Sequence, residues 1–170
     1  MARFLLGLAI GLCLIPVAAF LFVSLGLVPV ATSSAPIPME RLLARKALKA
    51  KIKKEAPANA ALPVNESNLV SGATIYRQYC AMCHGYGSGP ESAAAKGMFP
   101  QPPQLLHGKG VTDDPPGETY WLAANGARLT GMPGFRGSLT EEQLWQVSLL
   151  LANADKLSPS VKAMLAPPAQ

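Results

Sequence analysis

From Phe4 to Ala31 the chain reads FLLGLAIGLCLIPVAAFLFVSLGLVPVA, without one charged residue. As a single helix the run would reach about 42 Å, more than the ~30 Å of a hydrocarbon core. It also exceeds the apolar region of a cleaved secretory signal, usually about 7–15 residues. The pattern predicts an N-terminal signal-anchor, a transmembrane helix within residues 1–35. Pro16 and Gly26 do not forbid it, because lipid-spanning helices tolerate such breaks. The small residues of TSSA keep cleavage after Ala35 as the alternative. Cys13 reads as a small hydrophobe inside the run, and Leu12 before it argues against a lipoprotein signal.

The pattern then changes to MERLLARKALKAKIKK, residues 39 to 54. Met39, Leu42, Leu43, Ala47, Leu48 and Ile52 recur at helical spacing with basic residues between them, which predicts a basic amphipathic helix. It would either lie on anionic headgroups or an acidic partner, or act as a solvated spacer. EAPANAALPVN after it has the texture of a linker that would let the next domain swing. Helix and linker together make a segment 36–65, and the soluble domain is expected over 66–170.

Within that domain a helix is expected over Asn68–Cys80, with Leu69, Gly72, Ile75, Tyr76 and Tyr79 marking one face. An irregular stretch rich in Gly and Pro follows, with one turn near ESAAAKG. GETYWLAANG predicts a short helix ended by Gly126. Thr140 with Gln143 makes a capping box, and Leu144, Val147, Leu150 and Leu151 then form a core stripe to about Asn153. No strand pattern occurs, so the domain is all-α.

Composition refines this picture only locally. The net charge of +5 over 170 residues comes from Arg41, Arg45, Lys46, Lys49, Lys51, Lys53 and Lys54, whereas acidic and basic residues nearly balance from Glu66 onward. The basic pI therefore describes a connector and is no sign of nucleic-acid binding. It raises a conflict, since basic residues just after the anchor would place the domain in the cytoplasm.

The chemistry lies in YCAMCHGYGSG, residues 79–89. A structural zinc site needs four ligands, typically two separated pairs, and the chain has no second pair. A thioredoxin-type dithiol expects a strand-turn-helix setting, which an all-helical domain lacks. Cys-x-x-Cys-His is the recognised pattern of c-type haem attachment: two sulfurs on a short loop join adjacent porphyrin edges, and His84 falls under the iron as proximal ligand. A distal ligand is sought downstream. Met132, in the tight loop GMPGF before the last helix, is the first candidate, with His107 and Met98 as alternatives. GSG at 87–89 lacks the other marks of a nucleotide site and reads as a turn.

From Asn68 to Asn153 the chain resembles a class I c-type cytochrome. The resemblance rests on GATIYRQYCAMCHG, FPQPPQLLHG, NGARLTGMPGF and LTEEQLWQVSLLLA, in that order. It implies a cytochrome c-like helical fold around one covalently attached haem c, held by Cys80 and Cys83 with His84 and Met132 as axial ligands. It further implies that the first and last helices cross where Gly72, Tyr76 and Trp145 stand. A proline carbonyl, Pro103 or else Pro90, would hold the other nitrogen of His84. Tyr120, Trp121 and Arg128 are candidates to bond the haem propionates, Trp121 being equally readable as core.

In bacteria such haems are attached on the outer side of the cytoplasmic membrane, so the resemblance places the domain in the periplasm against the charge rule. The implied role is a membrane-tethered single-electron carrier between redox proteins of a respiratory chain, not an enzyme. Two alternatives are a fixed subunit of a dehydrogenase or oxidase, and a gas sensor that binds after Met132 lets go.

Overall fold

The computed structural model describes residues 1–86, 91–106 and 114–167. Among these every regular element is helical and there is no strand, as the all-α expectation requires. The chain forms two compact units, Met1–Arg41 and Leu42–Gln170.

In the first unit, α1 spans Ala2–Ser24, 23 residues with Pro16 inside and none buried. It is long and apolar enough to cross a membrane, a test that a signal sequence near the N-terminus also passes. At ~1.5 Å per residue it measures about 35 Å. The helix is shorter than the uncharged run because Gly26 turns left-handed at φ 70°, where a chain leaves a helix readily. Helix α2, Glu40–Glu55, begins at the unit boundary and continues into the second unit. Its first acid, Glu40, accepts the Ile37 N–H at 2.9 Å.

The second unit is organised by α3 (Glu66–Ile75) and α7 (Glu141–Ala152). Asn65 caps α3, its side chain accepting the Asn68 N–H at 2.8 Å. Helix α3 does not end near Cys80 as its periodicity predicts. It passes through a π turn, Tyr76–Cys80, directly into α4, Ala81–His84. A short α5 (Ala93–Lys96) and α6 (Pro116–Asn125) follow. The capping box that opens α7 is formed in both directions: Gln143 N–H donates to Thr140 and Thr140 N–H to Gln143. Helix α8, Pro159–Met164, is an element that the sequence pattern does not signal, six residues being too few to show a period.

Every residue from Leu144 to Leu151 is buried, so α7 is covered all round rather than along one stripe. A helix so enclosed must satisfy its polar groups internally, and Ser148 donates its hydroxyl back to the Leu144 carbonyl at 2.7 Å. Helix α3 crosses α7 at Gly72, where a Cβ would overlap the Gln146 carbonyl and stand 3.0 Å from the Leu150 Cβ. Glycine is the one residue that permits this backbone approach. Helix α6 closes the other side, with Tyr120 stacked on Trp145 at 4.3 Å between centroids and 17° between planes.

The segment read as a swinging linker is packed instead. Its first residue, Glu55, accepts the Trp121 indole N–H at 3.2 Å, Ala60 and Leu62 lie against the core, and Ile52 just before it, in α2, is buried. The Pro57 carbonyl sits where a side chain on Gly117 would be. Linker-like composition reports the absence of a helical period. It does not report whether scattered Ala, Leu and Pro find a surface to cover.

Candidate functional site

The π turn and α4 carry Cys80, Cys83 and His84. Both thiols are free and half-buried. Burial, and next the neighbouring Cys83, push the Cys80 thiol up to about 12, so it stays protonated and inert until it reacts. Among the described residues no group of three or more His, Cys, Asp and Glu is gathered to hold a metal ion.

His84 Nδ1 lies 2.8 Å from the Pro103 carbonyl oxygen. A carbonyl can only accept, so Nδ1 carries the proton. In the neutral ring this leaves Nε2 with its lone pair free for a metal. Burial lowers the His84 pKa and outweighs the opposing bond from Pro103, which keeps the neutral form. Pro90 and His107, the alternatives weighed for the carbonyl and for a second axial ligand, lie outside the described residues.

The turn behind His84 is fixed from beneath. Tyr76 is fully buried and donates its hydroxyl to the Gly85 carbonyl at 2.7 Å, with the His84 carbonyl at 3.4 Å. The Gln104 amide lies over Gly85 where a Cβ would stand. Ser92 donates to the Met82 carbonyl at 2.6 Å. Pattern reading marks Tyr76 as a packing residue, but the bond it makes with its hydroxyl has no mark in sequence.

Met132 is half-buried in a loop held to the end of α6. Ala127 N–H donates to the Met132 carbonyl at 3.2 Å. Thr130 accepts the Met132 N–H at 3.1 Å and donates to the Ala127 carbonyl at 2.7 Å. Gly126, at φ 69°, lies against this loop so closely that a Cβ would fall 2.8 Å from the Met132 carbonyl oxygen. Phe135, just beyond, meets Tyr79 of the π turn edge-on at 5.9 Å, which joins the loop to the segment with the two cysteines. Thr130 is the residue that sequence reasoning passes over here, the signal being its position two before Met132.

Met98 packs its sulfur against Gly131. Of the three residues read as propionate partners, Tyr120 is buried in its stack, Trp121 has its N–H on Glu55, and Arg128 is exposed. Among the described residues, no hydrogen bond or ring contact joins the three to one another.

Residues 67–149 match the family model described as cytochrome c oxidase, cbb3-type, subunit III. This stretch is a c-type cytochrome domain. A chain of the reducing HAO-like protein complex of Kuenenia stuttgartiensis is similar to it, at 25% identity and a TM-score of 0.45. That similarity covers 56% of this chain and 48% of the other, so it spans about half of each. A comparison with curated proteins gives no match.

A cytochrome c domain implies haem c, and the side chains present fit it. Two free thiols stand three residues apart, and an imidazole beside them has one nitrogen committed and the other free. The fit is one of donor chemistry: thioether-forming sulfurs and a nitrogen ligand on one short helical segment.

Proposed function

We propose that the cytochrome domain carries one haem c joined through Cys80 and Cys83, with His84 as proximal and Met132 as distal ligand, and passes single electrons between redox proteins at a membrane surface. The observation that carries the reading is the bond between His84 Nδ1 and the Pro103 carbonyl. It sets the tautomer, aims the ring and raises its basicity as a ligand.

A haem held there supplies a one-electron ferric–ferrous couple, and thioether ligation favours the reduced iron. The chain's part is to keep its ligands still. Tyr76 braces the turn after His84, and Thr130 and Gly126 pin the loop of Met132. A ligand pair drawn wholly from the protein leaves no open position for a substrate, which favours a carrier over an enzyme. Of the propionate candidates Arg128 is the best placed, being exposed on the loop that leads to Met132.

The anchor is placed within residues 1–35 and the cytochrome domain over 66–170, with the basic helix and its packed connection between. The domain faces the periplasm of a bacterial cytoplasmic membrane, because haem of this kind is attached on that side. The description of the matching family favours a second reading, a cytochrome fixed as a subunit of a respiratory oxidase. Isolation in gentle detergent separates the two, since a subunit brings its partners with it.

The ligand set is tested by absorption spectra of the oxidised protein, wild type beside Met132→Ala. A weak red-edge band in the wild type that the variant loses supports the Met132 ligand. A wild type without that band overturns it. Carbon monoxide binding by the reduced wild type would then favour a gas-binding role.

A further inference from the structure

The basic helix α2 is not a free spacer. From Leu42 on it belongs to the same compact unit as the cytochrome domain, and its C-terminal half is held at three places, with a fourth just beyond it. Leu48 is half-buried and Ile52 buried; Glu55 takes the Trp121 N–H; Pro57 lies against Gly117. With about 100° per residue, these contacts fix which side of the helix faces away. Opposite Ile52 come Leu43, Lys46, Ala47, Ala50 and Lys54, with Lys53 at the flank, and all of them are exposed.

That outer side has a definite character. Two alanines and a leucine make a shallow apolar floor, and lysines on long stems border it. Such lysines lay their methylenes along an apolar surface and keep the ammonium at its polar edge. The one acid that borders the face, Glu40, stands at the start of the helix, before Leu43. Glu55 is occupied by Lys51 and Trp121, and Glu40 by the Ile37 N–H.

We propose that the outer face of α2, Leu43, Lys46, Ala47, Ala50, Lys53 and Lys54, rests on anionic lipid headgroups and so seats the cytochrome domain on the membrane surface. The proposal rests on the membrane-tethered reading given above. Lipid is favoured over an acidic protein because α1 is followed by only fifteen residues before Glu40. A bilayer holding α1 would meet α2 at high effective concentration. Polybasic segments next to a membrane-spanning helix are drawn to anionic headgroups.

The test uses the full-length haem-loaded chain with Cys13→Ser and Ala47→Cys, carrying a fluorophore on the new thiol. It is reconstituted with vesicles of phosphatidylcholine alone or with added phosphatidylglycerol. Flotation with both kinds reports the tether, and quenching by a water-soluble agent reports the α2 face. The expected result is flotation with both. Quenching should fall several-fold on anionic vesicles alone, an effect that high salt reverses. The triple variant Lys46→Gln, Lys53→Gln, Lys54→Gln should still float and keep its haem spectrum but lose the protection. A chain that fails to float with phosphatidylcholine overturns the tether reading, and this proposal with it. A chain that floats but is quenched equally on both vesicles overturns the proposal alone. Protection that arises only when an acidic protein is added also overturns it, in favour of a protein partner.

Discussion

Tyr76 spends a buried hydroxyl on one carbonyl, and that bond supports the turn from which His84 projects. Burial first, with electrostatic repulsion involving Cys80 and Tyr86 at high pH adding to it, holds its pKa well above the ordinary tyrosine range, so the hydroxyl remains a donor at any working pH. Tyr76→Phe removes the donor and leaves the Gly85 carbonyl unpaired, a loss of about 1–3 kcal/mol. The expected outcome is a thermal midpoint several degrees lower in the haem-loaded protein; an unchanged midpoint would show that the bond contributes nothing. At this scale the sequence is uneven. Cys80, Cys83 and His84 are legible because their chemistry is contiguous. The partners of Tyr76 and Trp121 are not, because Gly85 lies nine residues away and Glu55 sixty-six. Nothing local in the chain announces such pairs.

Among the elements, α3 and α7 carry the core, and their crossing is set by one missing side chain. Gly72→Ala would press a methyl group into the Gln146 carbonyl, which is backbone and cannot turn aside. The helices must separate, at a cost of roughly 1–3 kcal/mol or more. Urea unfolding should show it as a lower midpoint, and a midpoint equal to wild type would refute the close crossing. Glu66 links α3 to α8 by accepting the Ser158 and Ser160 hydroxyls at 2.7 and 2.8 Å. These two bonds, Ser158 first, hold its carboxyl below the ordinary value of 4.5 against a small opposing effect of burial. A carboxylate lowered by folding stabilises fully above its unfolded pKa, and loses that contribution as pH falls through the folded one. Glu66→Gln should therefore be less stable than wild type near neutral pH, and the gap should close as pH falls below the ordinary value of 4.5 and through the lowered folded one. A gap that is constant with pH would assign the effect to packing. Helix α7 is readable in the sequence from its capping box and apolar period. The π turn and α8 are not, since a run of helix formers looks the same whether its ladder steps by four or by five, and six residues show no period.

Taken whole, the chain divides its charge and its apolar surface between parts. Apolar exposure is concentrated in α1, where no residue is buried, and positive charge in α2. The cytochrome domain is close to neutral, and few of its large apolar side chains among the described residues are exposed, Met82 and Leu129 being the clearest. This division is plain in the sequence. The docking of 52–62 is not, because it depends on Gly117 and Trp121 reaching the same place. The π turn has a consequence for the whole molecule as well. A ladder that steps by five carries about one residue more per turn than one that steps by four, which offsets everything beyond it by about 100°. Helix α3 is thus phased to fit α7, and α4 is phased separately. Deleting Gln78, exposed within the π turn, would restore one continuous phase and rotate Cys83 and His84 away from Pro103. Such a chain should keep its helical circular dichroism but fail to retain haem through denaturing electrophoresis, whereas retention of the haem would show that the offset is dispensable. The widened turn works as a gear tooth out of step: it lets the aim of the ligands be set without disturbing the axis on which the core is built.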